Sequence, residues 1–161
     1  MNLADLSISE LFALFADILD QLNERKISRS QNNPVADYAE WLVSRALRLK
    51  LQPNSRRGLD ALDDEGVRYQ IKGRRVHPSH PSRQLSVIRN LEEESFDFLI
   101  AVLFKRDLSV LEAYKTPHSA VGRYSHYSSH QRGHILTLTG PILSANGVAN
   151  GRPIARLSCD L

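Results

Sequence analysis

A chain of 161 residues that is 42% hydrophobic and 24% charged has the balance of one globular domain with a real core, which excludes a disordered chain. The net charge of +3 is modest and the longest apolar stretches, such as Phe98 to Phe104, fall far short of the roughly 20 residues that cross a bilayer. With no basic N-terminal region leading to a small-residue cleavage site, the expected setting is soluble and cytoplasmic, and the single cysteine, Cys159, excludes an internal disulfide or a thiolate zinc site.

The first predicted element is an amphipathic helix. Leu6, Leu11, Leu14, Phe15, Ile18, Leu19 and Leu22 recur at helical spacing, Ser7 and Glu10 offer a capping box, and the helix should end near Lys26. Its apolar stripe is expected to face the core, with a dimer contact as the alternative. After a polar loop from Ser28 to Asn32, Asn33 suits a helix N-cap and Pro34 the first helical position, so a second helix should run to about Lys50. Val35, Tyr38, Ala39, Leu42, Val43 and Ala46 make its buried arc, and Glu40 projects at the edge of that arc.

From Gly58 the period changes to two. Leu59 to Leu62 and Val67 to Arg74 read as two strands of a hairpin around the turn Asp63 to Gly66. In the second strand Val67, Tyr69 and Ile71 share one face, and Arg68, Gln70 and Lys72 the other. His77 to Ser82, with Pro78 and Pro81, is a loop in which His77 and His80 are exposed. Phe96 to Phe104 reads as a buried central strand and Leu108 to Tyr114 as its hairpin partner. Pro117 starts a short helix to about Tyr124, Ile135 to Leu138 stays open between strand and helix, and Asn146 to Gly151 is a loop. The organisation is thus a helix and loop over 1–32, a core over 33–116, and an extension of the same globular domain over 117–161.

Charge is unevenly spread. Through Lys26 the chain carries five acids against two bases, whereas Arg56, Arg57, Arg68, Lys72, Arg74, Arg75, Arg83 and Arg89 face only Asp60, Asp63, Asp64 and Glu65 between Arg56 and Arg89. A polyanion would find counter-charge in that segment, although charge alone favours the plainer reading of a solvated face.

Metal-assisted phosphodiester hydrolysis needs hard oxygen ligands, a charge-stabilising group near the phosphate and a water to activate. Asp60 on one strand, and Gln70 and Lys72 two apart on the other, can converge on one face of a sheet, with Glu40 reaching in from the packed helix. Gln70 offers an oxygen without charge, which weakens metal affinity relative to a carboxylate.

A helix with Glu40, then GLDAL with Asp60, a turn, and YQIKGRR with Gln70 and Lys72 resembles the PD-(D/E)xK, or restriction-endonuclease-like, nuclease superfamily. The resemblance covers roughly residues 33 to 116 and implies an α/β fold, a central mixed sheet flanked by helices. It further implies a DNA-cleaving enzyme using magnesium or manganese, with Asp60, Gln70 and Glu40 as metal ligands and Lys72 as charge stabiliser. Arg56, Arg57, Arg74 and Arg75 are the basic residues expected on duplex or branched DNA. Such cores act as homodimers or as subunits of defence or repair systems. Leu59 stands where the motif's proline would be, and Gln70 where it has Asp or Glu; the second change occurs in active members and also where catalysis has decayed. The alternative is therefore a catalytically inactive module that binds nucleic acid or a protein partner.

The remaining candidates are weaker. His126, His130 and His134 would align on a helix, but Gly133 and the surrounding serines argue for a polar, phosphate-contacting loop. Tyr124 and Tyr127, near Arg123 and Arg132, are candidates for stacking on bases. Neither a G-x-S-x-G nucleophile elbow nor a phosphate-cradling glycine loop is present.

Overall fold

The computed structural model describes residues 1–53, 58–151 and 154; Arg56, Arg57 and Cys159 lie outside them. The described residues form a mixed α/β fold with a six-stranded sheet, three α-helices and a small two-stranded ribbon. Strands β1 (Lys50–Leu51), β2 (Ala61–Leu62), β3 (Arg68–Arg75), β4 (Phe98–Phe104), β5 (Val110–Pro117) and β8 (Ala149–Asn150) pair in the spatial order 1-2-3-4-5-8. Only β3 and β4 run parallel, in register from Tyr69 opposite Phe98 to Arg75 opposite Phe104.

Both faces of the sheet are covered, which is why β4 is apolar at every position rather than alternating. On one face Ile100, Val102 and Phe104 of β4, with Tyr69 and Ile71 of β3, pack on Ala39, Leu42 and Val43 of helix α2 (Val35–Leu47). A Cβ on Gly73 would lie 2.8 Å from the Cβ of Ala39, so the absent side chain lets α2 approach. On the other face Leu99, Ala101 and Leu103 pack on Leu85, Ile88 and Leu91 of the crossover from β3 to β4, on Val121 of helix α3 (His118–Tyr124), and on Leu136, Leu138 and Ile142. The crossover holds only a 3-10 turn, Leu91–Glu93, and gains its order from bridges to the ribbon of β6 (His126–Ser128) and β7 (Gly133–Ile135) and the residues after it.

Helix α1 (Ile8–Glu24) has the capping box expected at Ser7 and Glu10. Its stripe is not core, however: of it only Leu19 is buried, while Ile8, Leu11, Phe12, Phe15 and Ile18 are exposed. Nothing among the described residues covers that face, and helical spacing specifies an apolar stripe without specifying what packs on it. Other boundaries shift for local reasons. The Asn33 side chain accepts the Val35 N–H at 3.1 Å while Pro34 holds the cap position, and the second helix stops at Arg48, whose φ of 55° turns the chain into β1, so Lys50 is strand. The expected loop from Asn146 to Gly151 contains β8, which pairs with Tyr114 and Lys115. His126 pairs with Ile135 and His134 with Tyr127, which puts the two histidines on opposite faces of the ribbon instead of on one helix face. No described helix is long and apolar enough to cross a membrane.

Candidate active site

Hairpin β2–β3 brings Asp60, Gln70 and Lys72 together. Asp60 sits just before β2, where its main-chain N–H donates to the Tyr69 carbonyl at 2.9 Å and its carboxylate accepts the Ile71 N–H at 2.7 Å. The side chain thus takes a ladder hydrogen bond that a main-chain carbonyl would otherwise accept, and the strand begins at Ala61, two residues later than its sequence suggests. Burial pushes the Asp60 carboxyl above its ordinary value, against the opposing pull of the Ile71 N–H, Lys72 and Arg29. Burial likewise pushes the Lys72 ammonium down, Asp60 opposing and Arg89 reinforcing the change.

Gln70 and Lys72 point to the face opposite Tyr69 and Ile71, as alternation requires. There they line a cavity of about 490 Å³ with Gly58, Val87, Arg89, Asn90, Ser95 and Arg132. Lys72 Nζ donates to the Val87 carbonyl at 3.2 Å, which anchors the ammonium at the wall. Gln70 is 95% buried by accessible surface, its relative exposure being 5%, yet its Oε1 has no hydrogen-bond partner. An orphaned buried acceptor of this kind costs about 1–3 kcal/mol; Thr116 Oγ1 is the other buried side-chain atom in that state among the described residues.

Glu40 does not join this group directly. It forms an ion pair with Arg29, whose guanidinium also donates to the Gln52 carbonyl at 2.9 Å. Arg29 is fixed by the Asp37 carboxylate, which accepts hydrogen bonds from the Arg29 and Ser30 N–H groups and from the hydroxyls of Ser28 and Ser30. Arg29 also acts on Asp60 through its charge, so a cation of the protein's own pairs with Glu40 and bears on Asp60 as well. Sequence reading missed Arg29 because it lies in a polar loop with no motif of its own.

The basic residues divide between places. Arg74 and Arg75 line a separate groove with Asn33, His77 and His80, not the cavity at Gln70 and Lys72. Arg68 is bound to Asp97 by two side-chain hydrogen bonds of 3.1 and 2.7 Å, and Arg83 is paired with Glu112, so neither is a free cation. Arg89 and Arg132 instead face the cavity. Tyr127 is exposed beside His134, while Tyr124 packs into the core. His134 is held by Glu92 at 2.9 Å and Ser125 at 3.2 Å, which uses both ring nitrogens.

For a hard divalent ion the available donors are the desolvated Asp60 carboxylate and the orphaned Gln70 Oε1; Glu40 would join only by leaving Arg29. Among the described residues no group of three His, Cys, Asp or Glu side chains converges, so an amide oxygen such as that of Gln70 is needed to complete any such set. The sequence matches no protein-family model, and no curated protein matches it significantly.

Proposed function

We propose that the protein is a metal-dependent phosphodiesterase acting on DNA, with a restriction-endonuclease-like core of the PD-(D/E)xK type in its QxK form. The observation that carries this reading is the placement of Asp60, at the entry to β2, against Gln70 and Lys72 of the adjoining β3, whose side chains line a cavity with cationic walls. Asp60 and Gln70 would hold magnesium or manganese, and a divalent ion there supplies Lewis-acid polarisation of the scissile phosphate. Lys72, anchored by Val87, stabilises negative charge as it develops on the phosphate or positions the attacking water. The positive walls draw the phosphate in and the apolar packing behind β3 keeps bulk water from the far side of the site.

One such site cuts one strand, so cleavage of duplex or branched DNA fits a homodimer or a partner subunit of a defence or repair system, with the exposed face of α1 as the surface that pairs. A second reading has its own support: Gln70 replaces a carboxylate and Arg29 occupies Glu40, which is what a catalytically inactive module binding nucleic acid or a protein would retain. Incubating wild type, Asp60→Ala and Lys72→Ala with supercoiled plasmid and labelled oligonucleotides in magnesium or manganese separates the two. Metal-dependent cutting by wild type alone is expected; no cutting by wild type on DNA that it binds would leave the inactive module. Strong cutting created by Gln70→Glu in a silent wild type would mark a decayed nuclease.

A further inference from the structure

Three cations line the cavity, Lys72, Arg89 and Arg132, and among the described residues no carboxylate lines it. Their assembly is built into the fold rather than left to mobile side chains. Ile88 and His134 exchange two main-chain hydrogen bonds of 2.9 and 2.7 Å, which ties the end of the crossover to strand β7. Gly133 makes that contact possible, since a Cβ there would lie 2.7 Å from the Ile88 carbonyl oxygen and 2.6 Å from Val87 Cγ2. Arg89 follows one member of this bridge and Arg132 stands two residues before the other, so the same bridge that closes the cavity wall delivers both guanidinium groups to it. Neither side chain forms an ion pair or hydrogen bond among the described residues, unlike Arg29, Arg68 and Arg83, each of which has a carboxylate. Arg89 also stands near enough to Lys72 to disfavour its charged form.

Of the three only Lys72 feels a carboxylate, that of Asp60; like charges gathered with so little counter-charge oppose folding, and a bound anion reverses the sign of that interaction. We propose that Arg89 and Arg132, with Lys72, form a binding site for a phosphate group of a nucleic-acid strand. The guanidinium fork suits two phosphate oxygens at once, and three positive charges exceed what one diester carries. The site therefore takes either the dianionic monoester of a strand end or the diester next to the one at Lys72. The inference rests on the proposed function for the identity of the phosphate's carrier, and its residues lie outside the metal-ligand set.

Binding is measured in EDTA, where metal-dependent cutting is silent, using fluorescent single-stranded oligonucleotides with a 5′-phosphate or a 5′-hydroxyl. The proteins are wild type, Arg89→Gln, Arg132→Gln and Arg75→Gln, the last removing one charge from the separate groove. Arg89→Gln and Arg132→Gln should each weaken binding about tenfold and flatten the slope of log affinity against log salt by about 1, with a smaller loss for Arg75→Gln. Because both arginines are exposed and unpaired among the described residues and add to a like-charge cluster, their variants should melt at or slightly above the wild-type temperature. A preference for the phosphorylated strand that these variants lose identifies the monoester; equal affinity for both strands, lost in the same variants, identifies the diester. Wild-type binding that is undetectable, or that Arg89→Gln and Arg132→Gln reduce no more than Arg75→Gln does, overturns the proposal. Failure of cleavage with this binding intact would count against the hydrolase reading alone.

Discussion

The two faces of β3 are both buried, and they are built to opposite rules. Tyr69 and Ile71 look toward α2 and are surrounded by aliphatic and aromatic side chains, with the Tyr69 hydroxyl donating to Asp63 at 3.0 Å. Gln70 and Lys72 look the other way, where the amide oxygen is left without a partner and the ammonium gathers beside arginines. On the first face every polar atom is accommodated and stability is the outcome. The second carries an unpartnered acceptor and gathered cations, which weaken the isolated protein and which the proposed ion and phosphate would offset. A buried surface can therefore be sorted by what it leaves unpaired, without reference to how deep it lies.

The comparison breaks most visibly in catalysis. Replacing Lys72 by Met should lower DNA cleavage about a hundredfold or more, the loss expected when a charge-stabilising donor is removed, while thermal unfolding changes little or shifts upward because a desolvated ammonium is gone. On the opposite face Ile71→Ala should cost about 2–5 kcal/mol in urea unfolding, by leaving a cavity against α2, without selective loss of metal binding. Gln70→Leu sharpens the contrast, since it removes the orphaned acceptor. It should stabilise the metal-free protein by about 1–3 kcal/mol while weakening manganese binding, and a loss of stability would mean that Gln70 serves packing.

The smallest effect is a pH dependence. Burial raises the Asp60 carboxyl, so the folded state holds a proton that the unfolded chain gives up sooner, and folding is favoured below the ordinary aspartate range. That advantage fades as pH rises through the elevated folded value. Asp60→Asn keeps an oxygen for the Ile71 N–H and never ionises. Melting curves in EDTA should therefore coincide for variant and wild type in acid and separate toward neutrality, the variant being the more stable.

Hairpin β2–β3 was legible in the sequence because alternation and turn chemistry act over a few residues; it put Gln70 and Lys72 on one face correctly. The β4–β5 pair and α3 were legible for the same reason. The two amphipathic helices show where such reading stops. Both have an apolar stripe, yet α2 spends it on the sheet and α1 leaves Phe12 and Phe15 exposed, because periodicity describes a surface and not its partner. Arg89 and Arg132 are visible in the sequence as cations, but their meeting depends on a bridge between residues 46 positions apart, Ile88 and His134, which no local pattern encodes. Arg29 was hidden likewise, its contact with Glu40 coming from a loop folded by Asp37. The segment from His77 to Ser82 was read as a loop from its prolines, and its bridge between His77 and His80 is a turn of that kind.

The most direct test of the polar face as a metal site is manganese binding followed by the loss of the free-ion electron paramagnetic resonance signal, in wild type and in Asp60→Asn. Saturable binding of manganese by wild type, displaced by magnesium and lost in Asp60→Asn, is the expected result. Equal binding by both proteins, or none by wild type at millimolar manganese, would contradict it.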